Sequence, residues 1–553
     1  MKKDSWLHQN HFWLNCWGIV FGILTIVFLF STAHFFVGNH DWQYFHYGMP
    51  IDAGFREGRL VQFVPTWFLT HGQVIPILNA VLGFAFYAGS AVFLAKWYGL
   101  EQKYVYVLLF SFLVVLHPLI CTQFFYAYLF LSFALWRFFS VLGVIYLWQY
   151  IHSKHGKYFL GACFCLLVAL NGYAVCFELI LVIFIGKFLI DLVTTKEVNI
   201  KFFKTYFSFV FALGIILCMD MLILALCKKY NLVDAHMYNT QFLGVKDVYY
   251  RFLGNWQQPF RVLLFEIPYC GKALNWGIVG LIFIYLLECF FIKDMRRFLW
   301  AVIGIIALLY GILVAAYLSP YYIFFVLRVN SYSIPYVAAI MFVGIIVNIK
   351  CRLFVKNFTF LLGMLLICCF IKGNLIAEKI WYLGDVQDRR AADRVVNDLQ
   401  PRLQPNHHYR LATMGGLYGH RKFAGQSLTA FYNDSYWEYW EGPFFPNIFF
   451  SAGLFAYEPS NPIWGDIIYL GGEAIFYDVI NESVKIEESI YARVYARSFG
   501  KDKDILGQQL KNLQAYPRKN YWAIGEKDIF LMFDISDRHK NILQWNVEHK
   551  SSF

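Results

Sequence analysis

The residues with the most chemical potential stand close together near the start of the chain. They read Asn39-His40-Asp41-Trp42-Gln43 and then Asp52-Ala53-Gly54-Phe55-Arg56-Glu57-Gly58-Arg59. Asp41, Asp52 and Glu57 are three carboxylates within about twenty residues of Arg56 and Arg59. A carboxylate can take the proton of an attacking hydroxyl. A guanidinium pairs with phosphate through two parallel hydrogen bonds. Together these types suit transfer of a group from a phosphate-bearing donor to a hydroxyl acceptor. Arg56 and Arg59 are three apart and would share one side of a helical turn. The same residues also suit a solvated loop whose Asp–Arg pairs only brace the backbone.

Two other segments carry residues of interest. The stretch 246–261 (KDVYYRFLGNWQQPFR) is amphipathic and aromatic, with Arg251 one turn after Asp247, and Arg328 stands alone between two apolar runs. Residues 432–441 set Tyr436, Trp437, Glu438 and Trp440 side by side. Aromatic faces stack on sugar C–H groups and carboxylates accept hydroxyl protons, so this patch suits a glycan acceptor. It also suits a half-buried cover. His34, His40 and His46 lack the spacing of a ligand set, so no metal residues are assigned, although a divalent cation stays possible. No phosphate-binding loop, dinucleotide fingerprint or H-E-x-x-H sequence is present.

These residues have to be positioned by membrane helices. Of 553 residues, 59% are hydrophobic, 20% aromatic and only 15% charged, with a mean hydropathy of +0.49. Soluble domains carry about 25% charged residues. A crossing needs about 20 apolar residues, and such runs fall at 14–36, 74–95, 104–120, 126–149, 158–172, 174–192, 205–227, 275–292, 299–318, 333–349 and 358–375. The expectation is a polytopic α-helical membrane protein with about eleven transmembrane helices in residues 1–376. Glu178, Asp220 and Arg137 lie inside apolar runs, where a charge points to function; Arg137 has either carboxylate as an expected partner. The twelve cysteines sit in or beside apolar runs and read as inert thiols.

The net charge of +11 is dealt out in twos and threes between the runs, which speaks against nucleic acid. Lysine and arginine mark cytoplasmic loops. With the N-terminus inside, Lys96, Lys103, Lys154, Lys157, Lys196, Lys201, Lys204, Lys293, Arg296 and Lys350 all fall inside. Outer loop one is then 37–73 and outer loop four 228–274, and everything after about 376 is outside. The basic residues of those outer loops run against the trend and fit an anionic ligand or membrane-lipid headgroups.

Residues 377–553 change character, and an α+β extracytoplasmic domain is expected there. A helix is expected over 385–400, a strand over 409–414, helices over 486–498 and 503–515, and a hairpin from 521–524 to 528–534.

Several short patterns carry a resemblance to a known group. They are Asp41-Trp42 with Tyr47-Gly48; Gly54 with Glu57-Gly58-Arg59; the series Arg390, Ala392, Val396, Leu399; and Tyr516-Pro517 before the hairpin. With the layout of the whole chain, they resemble the bacterial serotype-converting O-antigen glucosyl transferases, within the GT-C superfamily of polyprenyl-phosphate-sugar glycosyltransferases. The last strand, Asp528 to Asp534, lacks the lysine such a family would carry there; Lys519 and Lys527, both before it, are the nearest substitutes. The resemblance implies transfer of a sugar from a polyprenyl-phosphate donor to a surface glycan, such as lipopolysaccharide O-antigen, at the outer face of the bacterial inner membrane. It implies Asp41, Asp52 or Glu57 as general base. Arg56, Arg59, Arg251 and Arg328 are then candidates for the donor phosphate, and Tyr436, Trp437, Glu438 and Trp440 for the acceptor. A transporter or flippase of a lipid-linked glycan is the competing reading. It calls for charges lining a path through the membrane centre and an inverted repeat.

Overall fold

A computed structural model of the chain describes residues 6–28, 49–52, 54–55, 58–100, 103–120, 123, 128–195, 197–233, 243–264, 270, 272–292, 294–319, 331–348, 351–402, 407–414, 484–488, 514, 520–524 and 528–532. Contacts divide the chain into two units, one of Met1–Ala33 with Met49–Ile376 and one holding Ala377–Phe553.

The first unit is helical. Its apolar runs leave no water to satisfy the backbone, so each closes its hydrogen bonds within itself. The helices are α1 (Trp6–Val27), α2 (Val64–Thr70), α3 (Pro76–Trp97), α4 (Tyr104–Val115), α5 (Phe130–Ser153), α6 (Gly156–Gly172), α7 (Cys176–Thr194) and α8 (Ile200–Lys229). After them come α9 (Val245–Gly254), α10 (Gln258–Leu263), α11 (Lys272–Phe291), α12 (Met295–Gly311), α13 (Val314–Leu318), α14 (Ile334–Val347) and α15 (Leu353–Leu399). Proline in the first turn, where its missing N–H costs nothing, opens α2, α3, α10 and α14. Side-chain caps open two more: Asn199 accepts from Phe202 N at 3.2 Å and Asp294 from Arg297 N at 3.2 Å.

Among the described residues, six helices are long and apolar enough to cross a bilayer: α1, α3, α5, α8, α11 and the first part of α15. The protein is a helical membrane protein. Each of the other expected runs also falls on helix, but α4, α6 and α14 are shorter, and α7 carries Glu178, Lys187 and Asp191. The first helix begins at Trp6, before the expected 14, because polar His8, Gln9 and Asn10 are as compatible with helix as the apolar residues that follow.

The core lies between α5, α7 and α14, where Phe133, Val144, Ile183 and Ala338 are wholly buried. The aromatic content is used at these contacts. Phe184 stacks on Phe209 with centroids 4.2 Å apart, and Tyr87 stacks on Phe130 at 5.5 Å. At the lysine-bearing end, Lys187 pairs with Asp191 at 2.8 Å between the rings of Trp97 and Trp148. Tyr206 donates to the other Asp191 oxygen at 2.7 Å.

The second unit contains a four-stranded sheet in the order β2-β1-β4-β3, with β1 (His407–Met414), β2 (Val484–Glu488), β3 (Trp522–Ile524) and β4 (Asp528–Met532). Strand β1 pairs in parallel with β2 and β4, while β3 and β4 are antiparallel. Residues 486–488 are therefore strand and not the start of the expected helix. The alternation Val484-Lys-Ile486-Glu fits a period of two as well as one face of a helix, and pairing with β1 decides it. The end of α15 is tied to β3 and the residue before it: Tyr521 donates to Asp398 at 2.9 Å, and Arg402 lies 4.8 Å from the Trp522 ring.

Candidate active site

From Asp52 to Arg59 the described part of loop one is wound into consecutive turns. Phe55 N donates to Asp52 O, Gly58 N to Phe55 O and Arg59 N to Gly54 O, each at 2.9 Å. Two glycines allow this path. Gly58 has a φ of 76°, and a Cβ on Gly54 would lie 2.6 Å from the Arg59 carbonyl. The effect is to fold Arg59 inward while Asp52 stays exposed.

Arg59 is 7% exposed. Its Nη1 donates to Gln62 Oε1 at 3.3 Å, and its guanidinium lies 5.6 Å from the centre of the Tyr173 ring. The turn is fastened to the helix bundle at two points. Ser132 of α5 donates to the Gln62 carbonyl at 2.7 Å, and Val61 N donates to the Asn171 carbonyl at the end of α6 at 3.3 Å. Asn171 in turn donates to Asp220 of α8 at 2.6 Å.

Tyr173 passes the contact inward. Its ring lies 5.3 Å from that of Tyr332, whose hydroxyl donates to the Phe133 carbonyl at 3.1 Å. Below Tyr332 is Arg137, fully buried in α5. Its guanidinium is 4.6 Å from the Tyr87 ring, 4.9 Å from Tyr332 and 5.7 Å from Tyr336. Its Nη2 donates to the Ser331 carbonyl at 2.8 Å. Among the described residues Arg137 makes no ion pair, so neither Glu178 nor Asp220 is the partner its sequence position suggests. Tyrosine faces and a carbonyl hold the charge instead. Glu178, also fully buried, accepts from Ala315 N at 3.1 Å and from the Ser333 hydroxyl at 3.3 Å. Gln123 donates to the Ser331 hydroxyl at 2.6 Å. Arg137, Gln123 and Glu178 thus fix the turn Ser331–Ser333 from three sides, just after the segment that holds Arg328.

Arg251 sits half-buried on α9. Partial burial pushes its guanidinium below its ordinary value, and Tyr317 opposes that shift. Helix α9 packs through Phe252, whose ring is 5.1 Å from Tyr310 and 5.8 Å from Tyr317. The segment after it receives Tyr317 OH at the Asn255 carbonyl (2.9 Å) and Tyr310 OH at the Trp256 carbonyl (2.7 Å). No described contact joins Arg251 to Arg59. Asp41, Arg56, Glu57 and Arg328 lie outside the described residues, as do Tyr436, Trp437, Glu438 and Trp440. Among the described residues no group of three or more His, Cys, Asp or Glu side chains is placed to hold a metal ion.

Of the expected residues, Arg59 is the one the structure seats in a network of buried contacts. The structure adds Gln62, Tyr173, Tyr332, Arg137 and Glu178. Arg137 and Glu178 were signalled by charge within apolar runs. Gln62, Tyr173 and Tyr332 had no signal, because a glutamine or tyrosine beside a membrane helix is ordinary in this composition.

The sequence model of the family described as Glucosyl transferase GtrII matches residues 39–348, more than half of the chain. The chain belongs to that family. The GtrII match begins in loop one and runs through α14, so it contains Arg59, Tyr173, Arg137, Glu178 and the Ser331–Ser333 turn. It assigns the chain to the glycosyltransferases, in accord with the resemblance carried by Gly54 and Glu57-Gly58-Arg59. No curated protein and no solved structure matches the chain.

Proposed function

We propose that this membrane glycosyltransferase is of the GT-C type and moves a glucosyl group from a polyprenyl-phosphate donor to a surface glycan, of the O-antigen class, on the outer face of the bacterial inner membrane. The observation that carries this reading is the seating of Arg59: a loop-one arginine folded onto Tyr173 at the end of the helix bundle, within the GtrII region. A fixed guanidinium there suits a phosphate whose lipid chain lies in the bilayer. Arg56, Arg251 and Arg328 are the further candidates for the same phosphate.

The reaction is a single displacement. The acceptor hydroxyl oxygen bonds to the anomeric carbon as the bond from that carbon to the phosphate oxygen breaks. The electron pair of the broken bond leaves with the lipid phosphate, where arginine stabilises it. The hydroxyl proton goes to a carboxylate, for which Asp41, Asp52 and Glu57 are the candidates. Asp52, exposed on the loop-one turn, has open access to an acceptor. The residues after 376 form the α+β outer domain in this reading, with Tyr436, Trp437, Glu438 and Trp440 meeting the acceptor. The mixed sheet of β1–β4 supports a folded domain there.

The test is transfer measured with membranes that contain each of Asp41→Asn, Asp52→Asn and Glu57→Gln at normal protein level. One of the three is expected to abolish transfer while donor binding persists. Unchanged transfer in all three overturns the general-base assignment. Normal transfer with loss of lipid-linked sugar export instead moves the protein to the transporter reading.

A further inference from the structure

A groove of about 350 Å³ runs along the outside of α1, α3 and α5, away from the loop-one site. Its walls are Trp13, Trp17, Gly89, Phe93 and Phe138, and Lys96 closes one end. All three helices are among those able to cross a bilayer, so the groove opens to lipid. Trp17 is held as a fixed wall, since its indole N–H donates to the Ala85 carbonyl at 2.9 Å. Gly89 makes the floor: a Cβ there would come within 3.1 Å of Phe138 and 3.8 Å of Trp17. At the closed end Lys96 is exposed, and its ammonium lies 5.5 Å from the centre of the Trp13 ring.

We infer that this groove binds one acyl chain of an anionic glycerophospholipid, with the headgroup phosphate at Lys96. Charge and length both select this occupant. The lining is apolar except for Asn10, one turn before Trp13, and Lys96 beside the Trp13 ring, which matches a chain with one polar, negatively charged terminus. From Ala85 to Lys96, at ~1.5 Å per residue, the groove runs ~16 Å. That is about half of a ~30 Å hydrocarbon core, the depth of one leaflet. A phospholipid chain fits that span, whereas a long polyprenyl carrier does not end within it. Trp13 at the level of the ammonium is where an indole sits at a membrane–water interface.

The test uses the full chain in bicelles that contain phosphatidylcholine or phosphatidylglycerol brominated on the acyl chain, with tryptophan fluorescence as readout. Brominated phosphatidylglycerol is expected to quench at about fivefold lower mole fraction than brominated phosphatidylcholine, the ratio that ~1 kcal/mol from one lysine at an anionic surface gives. Trp13→Phe removes the headgroup-dependent part of the quenching. Lys96→Gln makes the two lipids equal, and Lys96→Arg retains the preference. Equal quenching by both lipids in the unaltered protein overturns the inference, as does an unchanged preference in Lys96→Gln. Displacement of phosphatidylglycerol by a smaller amount of polyprenyl phosphate overturns the choice of a one-leaflet lipid.

Discussion

At the scale of single residues, Arg59 and Arg137 sit in different surroundings. Arg59 is nearly buried, on the loop whose preceding turn starts at the exposed candidate base Asp52. If it holds the leaving phosphate, Arg59→Ala lowers kcat/KM for transfer on the order of 10²-fold, the loss typical of one donor to a developing anion. Arg59→Lys is expected to recover only part of it, because an ammonium cannot make the planar two-point contact. Equal activity of Arg59→Lys and unaltered protein in a donor titration counts against a bidentate role. Arg137 is sealed among Tyr87, Tyr332 and Tyr336 and holds the Ser331 carbonyl. Its replacement by Met removes that hydrogen bond and takes the charge out of the aromatic box. The expected loss is ~2 kcal/mol of stability, read as a lower melting temperature in detergent, with KM for donor moving less than kcat.

At the scale of elements, short turns rather than helices decide the site. The loop-one turn depends on Gly54, whose missing side chain lets Arg59 N reach Gly54 O. Gly54→Ala forces a methyl against backbone, a contact that costs roughly 1–3 kcal/mol. Its expected phenotype is that of Arg59→Ala, normal insertion with depressed transfer, and full activity in Gly54→Ala means that the turn tolerates the shift. The Ser331–Ser333 turn depends on Glu178 in the same way. Glu178→Ala strands Ala315 N, while the Ser333 hydroxyl keeps the Ile312 carbonyl as acceptor, and is expected to destabilise by about 1–3 kcal/mol. Glu178→Gln keeps an acceptor and is expected to retain most of the transfer activity. Turns of this kind are poorly legible in sequence. The apolar runs marked the helices well, since Pro76–Trp97 and Phe130–Ser153 fall within four residues of the expected 74–95 and 126–149, because lipid demands a long apolar stretch. The antiparallel pair Trp522–Ile524 and Asp528–Met532 was legible from the Gly525-Glu526-Lys527 sequence that separates two apolar stretches. Strand Val484–Glu488 was not, because its partner lies seventy-odd residues earlier in the chain. Arg59 was legible as a charge beside carboxylates. Its contact with Tyr173 was not, because it depends on how α6 ends, and no local pattern encodes that.

At the scale of the whole molecule, the reading stands on sidedness. Loop one must lie on the face where the acceptor is found, and so must the residues after 376 if Tyr436 and Trp437 are to meet it. Lys96, Lys103, Lys154 and Lys157 flank the ends of α3, α4, α5 and α6. The loop-one turn is fastened to the opposite ends of α5 and α6, through Ser132 and Asn171. Because lysines favour the cytoplasmic side, this arrangement argues for an external loop one. In that orientation one crossing, α1, precedes residue 60, and an external residue 380 requires an odd number before it, such as the eleven expected from sequence, which counts the short helices α4, α6 and α14 besides the six long ones. A hydrophobic stretch shorter than the bilayer can still span it where neighbouring helices bury it and the bilayer thins; α14 is almost wholly buried and meets that condition. A reporter active only outside the cytoplasm, fused after residue 60 and after residue 380, is therefore expected to be active at both positions. A cytoplasmic result after 60 reverses the orientation and removes Arg59 from the acceptor's side. A cytoplasmic result after 380 alone makes the number of crossings even. It would leave Arg59 as a phosphate site and transfer acceptor recognition from the aromatic residues at 436–440 to the outer loops of the first unit.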